Sequence, residues 1–290
     1  MHHTSCIVCN NPVLNSMTDY PINKLVKCNR CGFVFCSQIP TLDELNHHYS
    51  TSYSRNDYLS PITVKRYHEI LDMFEPYRKT GNLLDIGCGI GYFLDVAKER
   101  GWNVYGTEYT EEALKINRDK GFTMNEGKLD ARNYTPGFFD VVTSFEVIEH
   151  INNPQEDVDN IKTILRGGGV FYATTPNFNS LSRYYLKEKW NVICYPEHLS
   201  YYSPKSIHYL FNSFGFKRIF IQTTGISVTR LKKSLDSSIT ESHVQGNTSD
   251  ENLREQMESK WYLGLAKTML NGVLSFFGVG DSLKIMYLKP

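Results

Sequence analysis

The sequence predicts an α/β protein: a parallel sheet with helices on both faces, preceded by a small cysteine-rich module. Three observations carry this. From residue 82 onward, short apolar runs alternate with amphipathic helical patterns, which is how strand–helix–strand units read in sequence. The first run, Leu83-Leu84-Asp85-Ile86, passes straight into a glycine-rich turn, Gly87-Cys88-Gly89-Ile90-Gly91. Four of the seven cysteines fall in the first 31 residues, in two pairs.

Composition narrows the class. The chain has 290 residues, 41% hydrophobic and 21% charged. That is ordinary for a globular protein and excludes collagen, coiled coil and disorder throughout. Lys+Arg and Asp+Glu are 31 each, so there is no global field to collect nucleic acid. Nineteen Tyr and sixteen Phe suit a pocket for a ring-shaped, partly apolar substrate. Residues 1–6, MHHTSC, lack the basic and apolar regions of a secretory signal. The most apolar stretch, Trp261 to Val279, is broken by Lys267, Thr268, Asn271 and Ser275, so it reads as a packed or amphipathic helix and not a membrane span. An odd cysteine count does not look like a secreted disulfide framework, and the expected compartment is the cytoplasm.

In chain order, Cys6, Cys9, Cys28 and Cys31 form C-x2-C-x18-C-x2-C. Zinc takes four thiolates in a tetrahedron, and a two-residue spacing lets each pair fold over the ion as a knuckle. A closed, structural zinc ribbon is expected, with Gly32 giving the backbone room to turn and Cys36 left as a small buried hydrophobe. Upstream of the main domain, His47, His48, Tyr49 and Tyr53 are surface residues or a lid. Tyr67, Ile70, Leu71 and Phe74 make one helical stripe, ended by Pro76.

Next come a helix over 92–100, a strand at 104–107, and a helix capped by Thr110 with Glu111 and Glu112 in its first turn. A strand at 139–144, a helix over 154–166 and a strand at 170–174 follow. Ile207, Leu210, Phe211 and Phe214 mark another helix, stopped by Gly215. Strands at 217–223 and 283–288 close the pattern. Between them, 234–250 is rich in Ser, Thr, Asn and Gly and reads as a mobile loop. Leu253, Met257, Trp261, Leu265, Met269, Val273 and Phe277 then recur at four-residue steps. This is a helix packed on the body, with a lid, an oligomer contact or a membrane-surface face as rivals.

The glycine turn carries the chemistry. Glycine is needed where backbone bends tightly and a ligand approaches closely, but dinucleotide sites use such turns too. Here an acid, Asp85, stands two residues before the first glycine, where it suits a cationic amino group and repels a pyrophosphate. A second acid, Glu108, ends the next strand and suits the two ribose hydroxyls. The ligand is then a nucleoside with an amino-acid tail and no phosphates, which describes S-adenosylmethionine.

At these residues, with Asp130-Ala131, Phe139-Asp140-Val141-Val142 and Glu146-Val147-Ile148-Glu149-His150, the chain resembles the class I S-adenosylmethionine-dependent methyltransferases over about residues 60–225 and the final strand. The resemblance implies a Rossmann-like, seven-stranded, mostly parallel sheet whose last strand is antiparallel. It implies that Asp85, Gly87, Cys88 and Gly89 meet the methionine moiety and Glu108 the ribose. Asp130 and Ala131 would lie near the adenine, Tyr109 over its face, and Phe145 and Glu146 near the sulfonium. The expected division is a zinc ribbon at 1–39, a connector and helix at 40–80, the methyltransferase domain at 81–229 plus 279–290, and a loop and helical insertion at 230–278.

Methyl transfer to a hydroxyl also needs a way for the proton to leave. On a helical turn Glu146, Glu149 and His150 share one face, and His198 follows in Pro196-Glu197-His198. Together they would hold Mg²⁺ or another divalent ion, as in similar O-methyltransferases of ubiquinone biosynthesis and of small-RNA 3′ ends. Alternatively, His150 or His198 is a general base, or the motif only orders its loop. Tyr184, Tyr185, Trp190, Tyr195, Tyr201 and Tyr202 crowd the stretch where such enzymes bind acceptor; a covering layer for the sheet edge is the rival. The ribbon-plus-methyltransferase order is similar to deoxysugar C-methyltransferases, without their further C-terminal domain, and to enzymes of cell-surface polysaccharide decoration. The expected reaction is O-methylation of a saccharide, sugar-nucleotide or similar small molecule. The alternatives are an RNA methyltransferase gripping substrate with its ribbon, and a non-catalytic S-adenosylmethionine-binding protein. A homo-oligomer is left open.

Overall fold

The computed structural model describes residues 2–20, 24–41, 43–44, 59–226 and 261–290. The expectations for His47, His48, Tyr49, Tyr53, the 234–250 loop, Leu253 and Met257 lie outside these residues.

The main sheet has seven strands. Three run outward from the centre on one side: β4 (Asn82–Ile86), β5 (Asn103–Glu108) and β6 (Thr123–Glu126). On the other side of β4 lie β7 (Phe139–Phe145), β8 (Leu165–Pro176), β11 (Ser282–Leu288) and β10 (Lys217–Thr224). The first five are parallel, and β11 is antiparallel to both its neighbours, as the resemblance implied. The chain therefore reverses direction across the sheet at β4. The crevice at the carboxyl ends there is where open α/β sheets hold ligands.

Alternate residues of the strands feed two cores. Leu84, Val142 and Phe171 face one side with α4 (Pro154–Ile164) and α6 (Pro204–Ser213). Leu83, Val141 and Val170 face the other with α1 (Pro61–Phe74) and α2 (Tyr92–Glu99). The period of two along each strand makes this division automatic. A further helix, α3 (Glu111–Asp119), sits between β5 and β6, and a short α5 (Leu181–Leu186) follows β8. Thr110 stands at the start of α3 without a side-chain cap; its hydroxyl donates to Glu108 instead, at 3.4 Å.

The cysteine module is not a separate bead. Its strands β1 (Leu14–Ser16), β2 (Leu25–Cys28) and β3 (Val34–Cys36) are antiparallel, and a fourth, β9 (Ser200–Tyr201), is added by the body. Phe33 and Tyr202 pack at 5.1 Å, and Cys6, Val8 and Phe33 belong to the same core as α4 and α6. Cys36 is buried, as expected.

The last helix, α7 (Trp261–Phe277), departs from expectation. Leu265, Met269, Val273 and Phe277, the stripe the sequence singles out, are all exposed; Leu274 is the buried contact. The helix meets β10 through Asn271, Leu274 and Ser275, whose polar atoms bond Gly225 and Thr223. Edge-strand hydrogen bonding orients it, which an apolar period does not report. No helix among the described residues is long and apolar enough to cross a membrane.

Candidate functional site

The glycine turn sits at the β4 reversal point. All three glycines have positive φ, +64°, +54° and +80° for Gly87, Gly89 and Gly91, but for different reasons. A Cβ at Gly91 would stand 2.2 Å from Asn117 Oδ1, and one at Gly87 would stand 2.7 Å from Val147 Cγ2. A Cβ at Gly89 would meet nothing within 4 Å. Two glycines thus serve packing, and the middle one faces open space where a ligand could approach. Cys88 offers only backbone: its thiol is turned onto Gly106, the position on β5 where a Cβ would lie 2.8 Å from Sγ.

The two acids lie on either side of this turn. Asp85 is buried on β4 and accepts a hydrogen bond from Thr143 Oγ1 of β7 at 2.7 Å. Burial, with the charge of Glu108 adding to it, lifts its carboxyl to about 7 against the pull of that bond. Glu108 holds the turn to β5. Its Oε2 accepts from Gly89 N–H at 2.9 Å, and Oε1 accepts from Tyr109 and Thr110 N–H at 2.8 and 3.1 Å. Thr107 supports the same turn by accepting from Gly87 and Cys88 N–H, and Asn117 donates to Gly89 O at 2.7 Å. Sequence reading missed Thr107, Asn117 and Thr143. Thr143 is tied to Asp85 by register alone: in the parallel pairing it stands directly opposite.

At the expected adenine end the side chains have these partners. Asp130 caps a short turn and pairs with Arg132 at 2.6 Å, which with the Arg132 N–H holds its carboxyl down at about 2. Ala131 N–H donates to Asn160 Oδ1 at 3.2 Å. Tyr109 is 69% exposed at the rim. Phe145 is half-buried and packs on Phe93 at 4.9 Å and Tyr172 at 5.7 Å, so its ring is as much core as pocket wall.

A second cluster forms beyond β7. Metal-ligating atoms of Glu149, His150 and His198 lie within 4.8 Å of one another, and those of Cys194, Glu197 and His198 form an overlapping group. The two imidazoles meet edge-on at 4.8 Å. His150 Nδ1 lies 2.7 Å from Glu197 O and His198 Nδ1 lies 2.6 Å from Val192 O. A carbonyl only accepts, so each Nδ1 carries the proton and each Nε2 of the neutral ring is the basic nitrogen. Glu149 is buried and accepts from Thr175 Oγ1 at 2.9 Å.

Glu146 is a correction: it is not in this cluster. Only Ile148–His150 form a helical turn. Glu146 precedes it with φ +53° and an exposed side chain, so the shared helical face that E-x-x-E-H suggests does not extend back to it. With two imidazoles, one carboxylate and a neighbouring thiol, the donor set fits a transition ion better than Mg²⁺.

The aromatic stretch also divides. Trp190, Tyr201 and Tyr202 are buried and bind the loop to the ribbon, while Tyr184 and Tyr185 are exposed.

In the ribbon, Cys6 and Cys31 sulfurs lie 3.5 Å apart, as do those of Cys9 and Cys28, and all four lie within 4.8 Å of one another. A tetrahedron with about 2.3 Å metal–sulfur bonds has edges of roughly 3.8 Å, so the quartet fits zinc. Knuckle N–H groups of Val8 and Arg30 point at Cys6 and Cys28 sulfurs, both at 3.4 Å.

Compared with known proteins, residues 58–219 match the model of a family described as a methyltransferase domain, more than half of the chain. The chain belongs to this methyltransferase family. The ubiquinone biosynthesis O-methyltransferase of Colwellia psychrerythraea is 31% identical over 111 residues, covering 36% of this chain and 45% of that protein. The one from Nitrosomonas europaea is 26% identical over 160 residues, covering 51% and 66%. The chain thus spans about half the length of the curated relatives it matches. Among solved structures, a SAM-dependent methyltransferase from Archaeoglobus fulgidus aligns over 84% of this chain and 99% of its own at TM-score 0.53 and 18% identity. Phosphoethanolamine N-methyltransferase 2 of Haemonchus contortus aligns over 89% and 62% at TM-score 0.56 and 20% identity. At these identities the two structures speak for the methyltransferase fold alone.

Proposed function

We propose that this protein transfers the methyl group of S-adenosylmethionine to a hydroxyl of a small molecule, in the first instance a saccharide or sugar-nucleotide. The observation that carries the reading is the open approach at Gly89, flanked by Asp85 and Glu108 at the sheet's reversal point. Two acids and a backbone turn favour a cationic, phosphate-free adenosine derivative over a dinucleotide. Membership of the methyltransferase family and the O-methyltransferase names of the curated relatives support the same reaction.

The transfer is an in-line displacement: acceptor oxygen, methyl carbon and sulfur must be aligned, and water kept out. Asp85 would hold the amino group of the methionine tail, and Glu108 Oε2 a ribose hydroxyl. The acceptor hydroxyl must lose its proton as its oxygen attacks. The Nε2 atoms of His150 and His198 are the bases present, each oriented by an Nδ1–H bond to a backbone carbonyl. Were a divalent ion held by Glu149, His150 and His198, it would supply acidification of that hydroxyl instead. A structural zinc ion on Cys6, Cys9, Cys28 and Cys31 completes the reading.

The test is turnover. The zinc-replete chain, S-adenosylmethionine and a panel of sugar nucleotides, free saccharides and phenols are assayed for S-adenosylhomocysteine. Product with a sugar-bearing acceptor, lost in His150→Ala, is expected. Product only with phenols would move the acceptor to the quinol class, and cofactor binding without product from any acceptor would favour a binding protein.

A further inference from the structure

Away from the candidate centre lies an open groove of about 920 Å³, walled by the second cysteine knuckle, the start of α6, the edge strand β10 and the end of α7. Its charged lining is one-sided. Lys27 and Arg30 come from the ribbon, Lys205 from α6 and Arg218 from β10, with His208 beside them. No Asp or Glu is among the described lining residues. None of the four cations is within ion-pair distance of a carboxylate among the described residues. A zinc-filled quartet would place negative charge behind one wall. The two cysteines on that wall, Cys28 and Cys31, are buried, however, and Cys28 takes N–H bonds from Arg30 and Asn11. Lys205 and Arg218 stand on elements that hold no cysteine.

Two features sharpen the chemistry. The positive end of the α6 dipole opens on the same space. Burial, and then the charge of Arg218, keep His208 below the ordinary imidazole range, with its Nδ1 3.2 Å from Tyr287 OH. On the far side Phe277, 66% exposed, offers an apolar ring face.

We propose that this groove binds a nucleoside diphosphate group, with its phosphates among Lys27, Arg30, Lys205 and Arg218 and its base against Phe277. The volume is that of a small-molecule pocket, and the cations match the two to three negative charges of a diphosphate. A long polyanion is disfavoured because the balanced chain charge adds no global positive field to that of the groove. The candidate centre, with two buried acids, would repel the same group. The diphosphate of a nucleotide-linked sugar and that of a free nucleotide share this chemistry. The inference does not require the methyl-transfer reading.

The test is calorimetry on the full, zinc-replete chain with uridine, thymidine, guanosine and adenosine diphosphates, UDP-glucose, inorganic pyrophosphate, adenosine and a short single-stranded RNA. We expect one site for at least one nucleoside diphosphate, weaker binding of pyrophosphate and none of adenosine. Lys205→Ala/Arg218→Ala should weaken the diphosphate at least tenfold with an unchanged thermal melt. Phe277→Ala should weaken the nucleotide but not pyrophosphate. Binding of UDP-glucose as tight as UDP would mark a nucleotide-linked sugar as the source, and its exclusion a free nucleotide. The proposal is overturned if no diphosphate binds, if the double variant binds as the parent does, or if RNA alone binds and loses affinity in that variant. S-adenosylmethionine titrated into the same samples reports separately on the other pocket.

Discussion

Gly89 and Gly91 look alike in the sequence and differ in what they do. Gly91 is closed against Asn117, so Gly91→Ala should lower the melting temperature sharply. Gly89 faces open space, so Gly89→Ala should cost only the left-handed strain of its φ of +54°, about 1–2 kcal/mol. It should weaken S-adenosylmethionine far more. Thermal melts and calorimetry on both variants check this; equal loss of affinity at equal loss of stability would contradict it. Asp85 gives a pH signature. Its carboxyl is raised to about 7, so the stability tied to its protonated form is present at low pH and lost as pH rises through that value. Holding an ammonium reverses the preference. Cofactor affinity should therefore rise about tenfold between pH 6 and 8, and Asp85→Asn should flatten the profile while stabilising the ligand-free protein at pH 8.

At the scale of elements, two ties position the site. Asp140, at the start of β7, accepts N–H bonds from Lys79, Thr80 and Gly81 at 2.7–2.8 Å and pairs with Arg166 of β8. Burial opposes its charge, but the guanidinium and the three amides win and hold its carboxyl below the usual range. Asp140→Ala leaves them unmatched and should cost about 3–5 kcal/mol in chemical denaturation, with little change in the affinity of the protein that remains folded. The other tie is β9. Ser200–Tyr201 complete the ribbon sheet two residues after His198, and Cys36 N–H bonds Leu199 O at 2.8 Å. Cys28→Ser should thus lower the transfer rate as well as solubility, while leaving affinity at the glycine turn near normal; rate and affinity measured on the soluble fraction would separate the two. A sequence reads Cys6 to Cys31 as a self-contained ribbon because the strand that finishes its sheet lies some 160 residues later. A two-residue strand carries no period of its own.

Across the whole molecule, the alternation of strands and helices, the glycine turn, the two acids and the cysteine quartet were legible because each rests on local spacing. What was not legible depends on register or on distant chain. Thr143 reaches Asp85 only through strand pairing, Glu197 and Val192 orient the imidazoles through backbone carbonyls, and Glu146 leaves the cluster because its backbone turns left-handed. The exposed stripe of α7 reverses a sound period, since hydrogen bonds to the edge strand set that helix's orientation. Every role proposed above in methyl transfer depends on S-adenosylmethionine binding at the glycine turn after β4. Titrating S-adenosylmethionine into the zinc-replete chain at pH 8 tests it most directly. One site per chain is predicted, displaced by S-adenosylhomocysteine and indifferent to NADH. No heat with S-adenosylmethionine, or NADH competing for the same site, would contradict it.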